Sequence, residues 1–206
     1  MLGNASTARN APASGTAGSN SRISWFRGGP SAARPPACHL TWRESLRQLQ
    51  RGSLESGFAP RAQPGLSVRV FVDANLWAYR LDRREPHKGP FIKTWLRQLA
   101  QDHEIVISAQ VLIELRAVMT RTLQPALSAA DCLQALEALA QFDVVPTDAA
   151  LVLDAHELAA ANQLSWFDAL ILEAAIRHGC TVLYSEDFSS GQQFGGLVVV
   201  NPFEVA

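Results

Sequence analysis

The chain has 206 residues, of which 48% are hydrophobic, and this is enough apolar material for one buried core and a second small module. The net charge of −1 does not indicate a globally basic nucleic-acid binder, and three scattered cysteines without a CxxC pair argue against a disulfide framework. No apolar stretch approaches the roughly 20 residues of a membrane span, and the sequence has no pattern of a secretory leader. We therefore expect a cytoplasmic protein that does not contact a membrane.

The first 67 residues differ from the rest in composition and charge. They hold eight Arg and two acidic residues, which gives +6, whereas the remaining 10 basic and 17 acidic residues give −7. Because Ala, Ser, Gly and Pro dominate, we expect residues 1–67 to form a basic, low-complexity extension that is largely disordered. It has three interpretations: a basic tail, a targeting peptide, or translated upstream sequence with the biological start near Val68. The abrupt change of pattern at Val68 favours the third.

From Val68 onward, short apolar runs alternate with stretches of helical periodicity. This alternation predicts one α/β domain over residues 68–206, with an open parallel sheet of about five strands and helices on both faces. In such a sheet, ligands bind outside the carboxyl ends of the strands. The predicted strands are 68–72, 105–107, 143–145, 181–184 and 197–200, and the predicted helices are 74–82, 91–101, 109–122, 129–141, 148–161 and 166–178.

Two acidic residues lie at or just beyond the carboxyl ends of predicted strands. Asp73 ends the first strand, and Asn75 lies close enough along the chain to brace the turn. Asp73 could also be an ordinary helix N-cap. Asp187 follows the fourth strand, where Ser185 can hydrogen-bond it, although Glu186 is a competitor and a loop acid is the simpler interpretation. Both carboxylates are expected at the carboxyl edge of the sheet.

Two further acidic residues lie within predicted helices. Glu114 stands among apolar neighbours, where an ionised carboxylate is costly unless it is paired or binds a cation. The alternative is a surface Glu that pairs with a nearby Arg. Asp168 comes three residues after Ser165, which also fits a capping box at the start of a helix. Capping and ligand binding are compatible, because a first-turn side chain can face the same crevice.

Four converging carboxylates would repel one another unless a cation neutralised them. Oxygen ligands without Cys or paired His favour Mg²⁺ or Mn²⁺, and we expect Asp73, Glu114, Asp168 and Asp187 to be both the catalytic and the metal-binding residues. Such a site suits phosphodiester hydrolysis, in which the ion neutralises the phosphate and activates water. Basic residues that could grip the phosphate backbone are Arg80, Arg83, Arg84 and Arg116.

Four segments in this order resemble the PIN-domain ribonucleases, and in particular the VapC toxins of bacterial toxin–antitoxin modules. The resemblance covers roughly residues 68–206, and its segments are Val70-Phe71-Val72-Asp73-Ala74-Asn75, Ser108 to Leu115, Leu164 to Ile171 and Leu183 to Phe188.

The resemblance implies a Mg²⁺- or Mn²⁺-dependent endoribonuclease whose metal-binding acids match Asp73, Glu114, Asp168 and Asp187. It assigns supporting polar roles to Asn75 and Ser185. It also implies a homodimer that cleaves structured RNA such as tRNA and is silenced by a VapB-like antitoxin. The long N-terminal extension departs from the family pattern.

Two other functions remain open from the sequence. A haloacid-dehalogenase-like phosphatase also carries an Asp nucleophile after its first strand. Its usual Asp-x-Asp motif would be Asp73-x-Asn75 here, so the general acid is missing. The other candidate is a non-catalytic PIN-like module that binds RNA or protein, which retention of all four acids disfavours.

Overall fold

The computed structural model describes residues 67–204, and nearly all of the predicted 1–67 extension lies outside this range. Six strands form one sheet: β1 Arg69–Val72, β2 Glu104–Ser108, β3 Asp143–Val145, β4 Val182–Tyr184, β5 Gln193–Phe194 and β6 Leu197–Val200. Their order across the sheet is β3-β2-β1-β4-β6-β5, and only β5 pairs antiparallel, with β6. The helices are α1 Ala74–Leu81, α2 Lys88–Asp102, α3 Ala109–Ala117, α4 Ala129–Leu139, α5 Ala149–Asn162 and α6 Trp166–Arg177.

The prediction of an open parallel α/β sheet is confirmed, with one addition. The sequence pattern missed β5, because a strand of two residues is too short to show periodicity. A signal was nevertheless present in Gly195-Gly196, which joins β5 to β6 in a two-residue hairpin loop. Gly195 has a φ of 61°, a conformation that favours glycine.

The central strands are buried because helices cover the sheet. Every residue of β1 after Arg69 is buried, as is every residue of β2 after Glu104, which explains their continuous apolar runs. Arg69 begins β1 and hydrogen-bonds Glu104 of β2 at 3.2 Å, the carboxylate of Asp143 in β3, and the carbonyl of His178 at 2.7 Å. The one charged residue of β1 therefore ties three strands and the end of α6 together at the amino edge of the sheet.

Two helices differ from the predicted ranges by three or more residues at one end. Helix α2 begins at Lys88, three residues before the predicted start, because Pro90 is tolerated in a first helical turn. The predicted helix 109–122 is divided into α3 and a π-helical turn over Val118–Thr122. No helix within residues 67–204 has the length and apolarity needed to cross a bilayer.

The strand order places a topological switch point between β1 and β4. The chain runs from β1 through β2 to β3 on one side, and then returns to the other side of β1 to form β4. The connections that follow β1 and β4 leave in different directions and open a crevice at the carboxyl ends of these strands. Asp73 follows β1 and Ser185 follows β4, so both residues lie at this crevice.

Two leucines on neighbouring helices test where the core lies. Leu172 of α6 is fully buried, whereas Leu153 of α5 is 68% exposed. We expect Leu172→Ala to lower the free energy of unfolding by about 2–5 kcal/mol, because it removes buried methyl groups and leaves a cavity. Leu153→Ala should change it by less than about 0.5 kcal/mol. Urea denaturation measures both, and equal effects of the two substitutions would contradict the packing.

Candidate active site

Asp73 is almost fully buried, with 1% of its surface exposed, and it is held at the junction of β1 and α1. Its backbone N–H donates to the Tyr184 carbonyl of the neighbouring strand at 3.0 Å. Its Oδ1 accepts from the Ala74 N–H at 2.7 Å, so Asp73 is the N-cap of α1. The helix dipole favours a negative charge at this position. The Asp73 carboxylate therefore caps α1 and also lies at the crevice.

Asn75 and Ser185 connect Asp73 to Asp187. The buried Ser185 hydroxyl donates to Asp73 Oδ2 at 2.7 Å and accepts from the Asp187 N–H at 3.1 Å. Asn75 Nδ2 donates to Asp187 Oδ2 at 3.1 Å, to Ser185 Oγ at 3.2 Å and to Asp73 Oδ2 at 3.5 Å. A hydroxyl and an amide thus hold two carboxylates side by side. Both donors are neutral, so they fix the carboxylates without cancelling their charge.

Glu186, between Ser185 and Asp187 in sequence, has a different partner. Lys88 Nζ lies 2.6 Å from Glu186 Oε1, 3.1 Å from the Tyr79 hydroxyl and 4.3 Å from the centre of the Tyr79 ring. Burial raises the pKa of Tyr79, and a hydrogen bond with Glu186 raises it further, so the phenol remains protonated. Glu186, the competitor of Asp187 in the sequence, is thus ion-paired with Lys88, and the choice of Asp187 as a site residue stays a prediction.

Glu114 is half-buried on α3 and is contacted by the side chain of Gln110, one turn earlier. Gln110 Nε2 donates to Glu114 Oε1 at 2.7 Å and to the Phe167 carbonyl at 3.1 Å. Phe167 lies in the first turn of α6 and directly precedes Asp168. One amide therefore links the predicted Glu of α3 to the backbone beside the predicted Asp of α6.

Asp168 is half-buried in the first turn of α6. The Ser165 hydroxyl accepts from the Asp168 N–H at 3.2 Å, which confirms the predicted N-cap. The Oδ1 atom of Asp168 is inaccessible to solvent. Helix α6 packs against β2, so this first turn lies beside the central part of the sheet.

Direct hydrogen bonds therefore form two groups among the predicted residues. The first joins Asp73, Asn75, Ser185 and Asp187, and the second joins Glu114 to the segment that carries Asp168. Within residues 67–204, no three His, Cys, Asp or Glu side chains form a ready-made set of metal ligands. The assignment of metal-binding and catalytic roles to the four acids stays a prediction.

The chemistry of the first group fits Mg²⁺ or Mn²⁺. Mg²⁺ usually keeps several waters and is held by one or two carboxylates, so the Asp73 and Asp187 pair offers suitable ligands. The Asn75 Oδ1 atom is a second kind of oxygen donor. It is buried and accepts no hydrogen bond from any residue that the structure describes. A buried amide oxygen normally has a partner, and a hydrated cation would supply one.

The four predicted phosphate-gripping residues differ in their surroundings. Arg80 is half-buried, and burial lowers its pKa to about 10, with the neighbouring Arg97 contributing in the same direction. The Arg84 guanidinium binds the Asp82 carboxylate, with Nη2 2.6 Å from Oδ2. The side chains of Arg83 and Arg116 are exposed on the surface.

The sequence analysis missed the contacts that Gln110 makes with Glu114 and Phe167. This residue is 7% exposed and stands one helical turn before Glu114. The spacing i and i+4 brings an amide and a carboxylate together on one helix face, and this was the available signal. The position of Phe167 was not accessible from the sequence, since the contact depends on how α6 packs.

The fold and site define a class of open parallel α/β proteins with carboxylates at the switch point. The sequence model of the PIN domain matches residues 70–189, which is more than half of the chain. The chain belongs to the PIN-domain family. This result gives no support to the phosphatase alternative or to the non-catalytic module. No curated protein matches the chain in sequence.

Two of the solved structures that are similar to this chain come from VapC20 and VapBC2. One is VapC20 from Mycobacterium tuberculosis, a toxin that cleaves the sarcin–ricin loop, with 20% identity, a TM-score of 0.42, and coverage of 55% of this chain and 86% of that one. The other is VapBC2 from Rickettsia felis bound to a DNA fragment from its promoter, with 18% identity, a TM-score of 0.48, and coverage of 64% and 96%. The family assignment rests on the sequence model.

Ser185 provides a test of the hydrogen-bond network. We expect Ser185→Ala to lower the free energy of unfolding by about 1–3 kcal/mol, because Asp73 Oδ2 and the Asp187 N–H would each lose a partner. The exposed Ser189 is the matched control, and Ser189→Ala should cost less than about 0.5 kcal/mol. Urea denaturation in the presence of EDTA isolates the protein network from any bound cation. An unchanged stability for Ser185→Ala would show that the network contributes nothing to folding.

Proposed function

We propose that this protein is a Mg²⁺- or Mn²⁺-dependent endoribonuclease, the toxin of a VapBC-type toxin–antitoxin module. The single observation that carries the proposal is the pair of carboxylates, Asp73 and Asp187, held together by neutral donors at the switch point of a PIN-domain sheet. Two carboxylates held side by side are the arrangement that a divalent cation stabilises. The resemblance of four sequence segments to VapC toxins supports the more specific assignment.

The proposed residues divide the work at the site. Asp73 and Asp187 would hold the cation, while Asn75 and Ser185 fix both carboxylates in place. When bound, the ion supplies the positive charge that phosphodiester hydrolysis requires. Asp168 and Glu114 complete the proposed acidic set, as further ligands or as acceptors for the proton of the attacking water.

The proposed substrate is RNA, with structured RNA such as tRNA as the first candidate. Net negative charge in the domain does not oppose this substrate, because the cation and local arginines supply positive charge near the phosphate. The proposed contacts come from Arg80, Arg83, Arg84 and Arg116. The proposal also includes a homodimer, a VapB-like antitoxin that silences the site, and a cytoplasmic location.

RNA cleavage by the purified full chain tests the proposed activity. We expect cleavage in Mn²⁺ or Mg²⁺ and none in EDTA. Asp73→Asn should lower kcat/KM by on the order of 100-fold or more, because losing an anionic ligand removes several kcal/mol of transition-state stabilisation. Gel analysis of tRNA and total RNA gives the rates.

Asp102→Asn is the matched control. Asp102 is exposed at the end of α2, just before β2 begins and therefore at the opposite edge of the sheet. We expect this variant to cleave like the unmodified protein. Equal cleavage in EDTA and in Mn²⁺ would reject the proposed mechanism, as would full activity of the Asp73→Asn variant.

A further inference from the structure

Gln110 occupies an unusual position for a polar side chain. It lies in the first turn of α3, directly after the carboxyl end of β2, and only 7% of its surface is exposed. An amide in this environment costs free energy unless its polar atoms find partners. Its Nε2 has two acceptors, Glu114 Oε1 at 2.7 Å and the Phe167 carbonyl at 3.1 Å. The two N–H groups of the amide thus serve two different helices.

The hydrogen bond to Glu114 restricts the rotation of its carboxylate. A Glu side chain has three flexible torsions, and a short bond from a neutral donor to a charged acceptor is stronger than a bond between neutral groups. The bond also leaves the charge of Glu114 in place, which an Arg or Lys partner would not. Gln110 therefore orients the acid without reducing its attraction for a cation.

The hydrogen bond to Phe167 acts on the other acid of the second group. The Phe167 carbonyl belongs to the residue immediately before Asp168, and both lie in the first turn of α6. Gln110 and Phe167 are 57 residues apart in sequence, so this contact joins two separate helices. Fixing the backbone at Phe167 restricts the point from which the Asp168 side chain projects.

We propose that Gln110 is a positioning residue that holds Glu114 and Asp168 in one arrangement for cation binding. The inference rests on the proposed function, since it assigns a supporting role at the same site. Residues that orient metal ligands, without binding the metal themselves, typically contribute about 10–100-fold to metal affinity or activity. Gln110 itself contacts no reacting group, and it acts only through Glu114 and Asp168.

Gln110→Met tests the inference, because Met keeps the length of the side chain and its helix propensity but cannot donate. We expect this variant to bind Mn²⁺ about 10–100-fold more weakly by calorimetry. Its concentration of Mn²⁺ for half-maximal RNA cleavage should rise by the same factor, with a smaller change in KM for RNA.

Two comparisons separate positioning from a general effect on folding. Gln141 is exposed, and its Nε2 donates to the Glu137 carbonyl, so Gln141→Met is a matched change and should leave Mn²⁺ affinity unaltered. In a Glu114→Ala background, most of the effect of Gln110→Met on Mn²⁺ affinity should disappear, because residues that act as a unit are not additive. A Gln110→Met variant within about twofold of the unmodified affinity would overturn the inference. So would an equal loss with and without Glu114.

The failure of the inference and the failure of the proposed function give different results. If the unmodified protein binds Mn²⁺ but cleaves no RNA, the proposed function fails while the calorimetric comparison still decides the role of Gln110. If the unmodified protein cleaves RNA and Asp73→Asn does not, but Gln110→Met matches the unmodified protein in Mn²⁺ affinity and rate, the inference alone is wrong. If the unmodified protein does not bind Mn²⁺, both are wrong.

Discussion

Burial of the Asp73 carboxylate is the constraint on which the rest of the site depends. A nearly inaccessible ionised group is tolerated only where its oxygens receive hydrogen bonds or a cation. The N–H of Ala74 serves Oδ1, and the hydroxyl of Ser185 serves Oδ2. Because Ser185 comes from β4 and Ala74 from α1, this requirement couples the first strand, the first helix and the fourth strand into one unit.

Two neighbouring acidic residues at this edge of the sheet, Glu186 and Asp187, have different partners. Glu186 is ion-paired with Lys88, whose ammonium group also lies over the Tyr79 and Phe203 rings, so the charge of Glu186 is compensated. Its neighbour Asp187 accepts from the neutral amide of Asn75. Lys88 compensates the charge of Glu186, whereas the Asn75 amide adds no charge beside Asp187.

The periodicity of apolar residues predicted the fold, and the position of acidic residues at the ends of strands predicted where part of the candidate site lies. Alternating apolar runs predicted five of the six strands, and the position of Asp73 directly after β1 predicted where it lies. The sequence favoured Asp187 over Glu186 through Ser185, but it could not reveal the ion pair between Glu186 and Lys88, which lies 98 residues away in the chain. Nor could it reveal that Gln110 reaches Phe167, since such a contact is fixed by helix packing and not by spacing.

Two amide side chains contact the acids of the candidate site, and an amide donates hydrogen bonds without carrying a charge. Asn75 lies between Asp73 and Asp187, and Gln110 lies between Glu114 and the segment of Asp168. Both amides are largely buried, and each has an oxygen that accepts no hydrogen bond from the residues described between 67 and 204. Replacing either amide by a cationic side chain would satisfy the carboxylates and cancel their charge at the same time. Neutral donors at these two positions therefore fit the proposed combination of ordered acids and attraction for a cation.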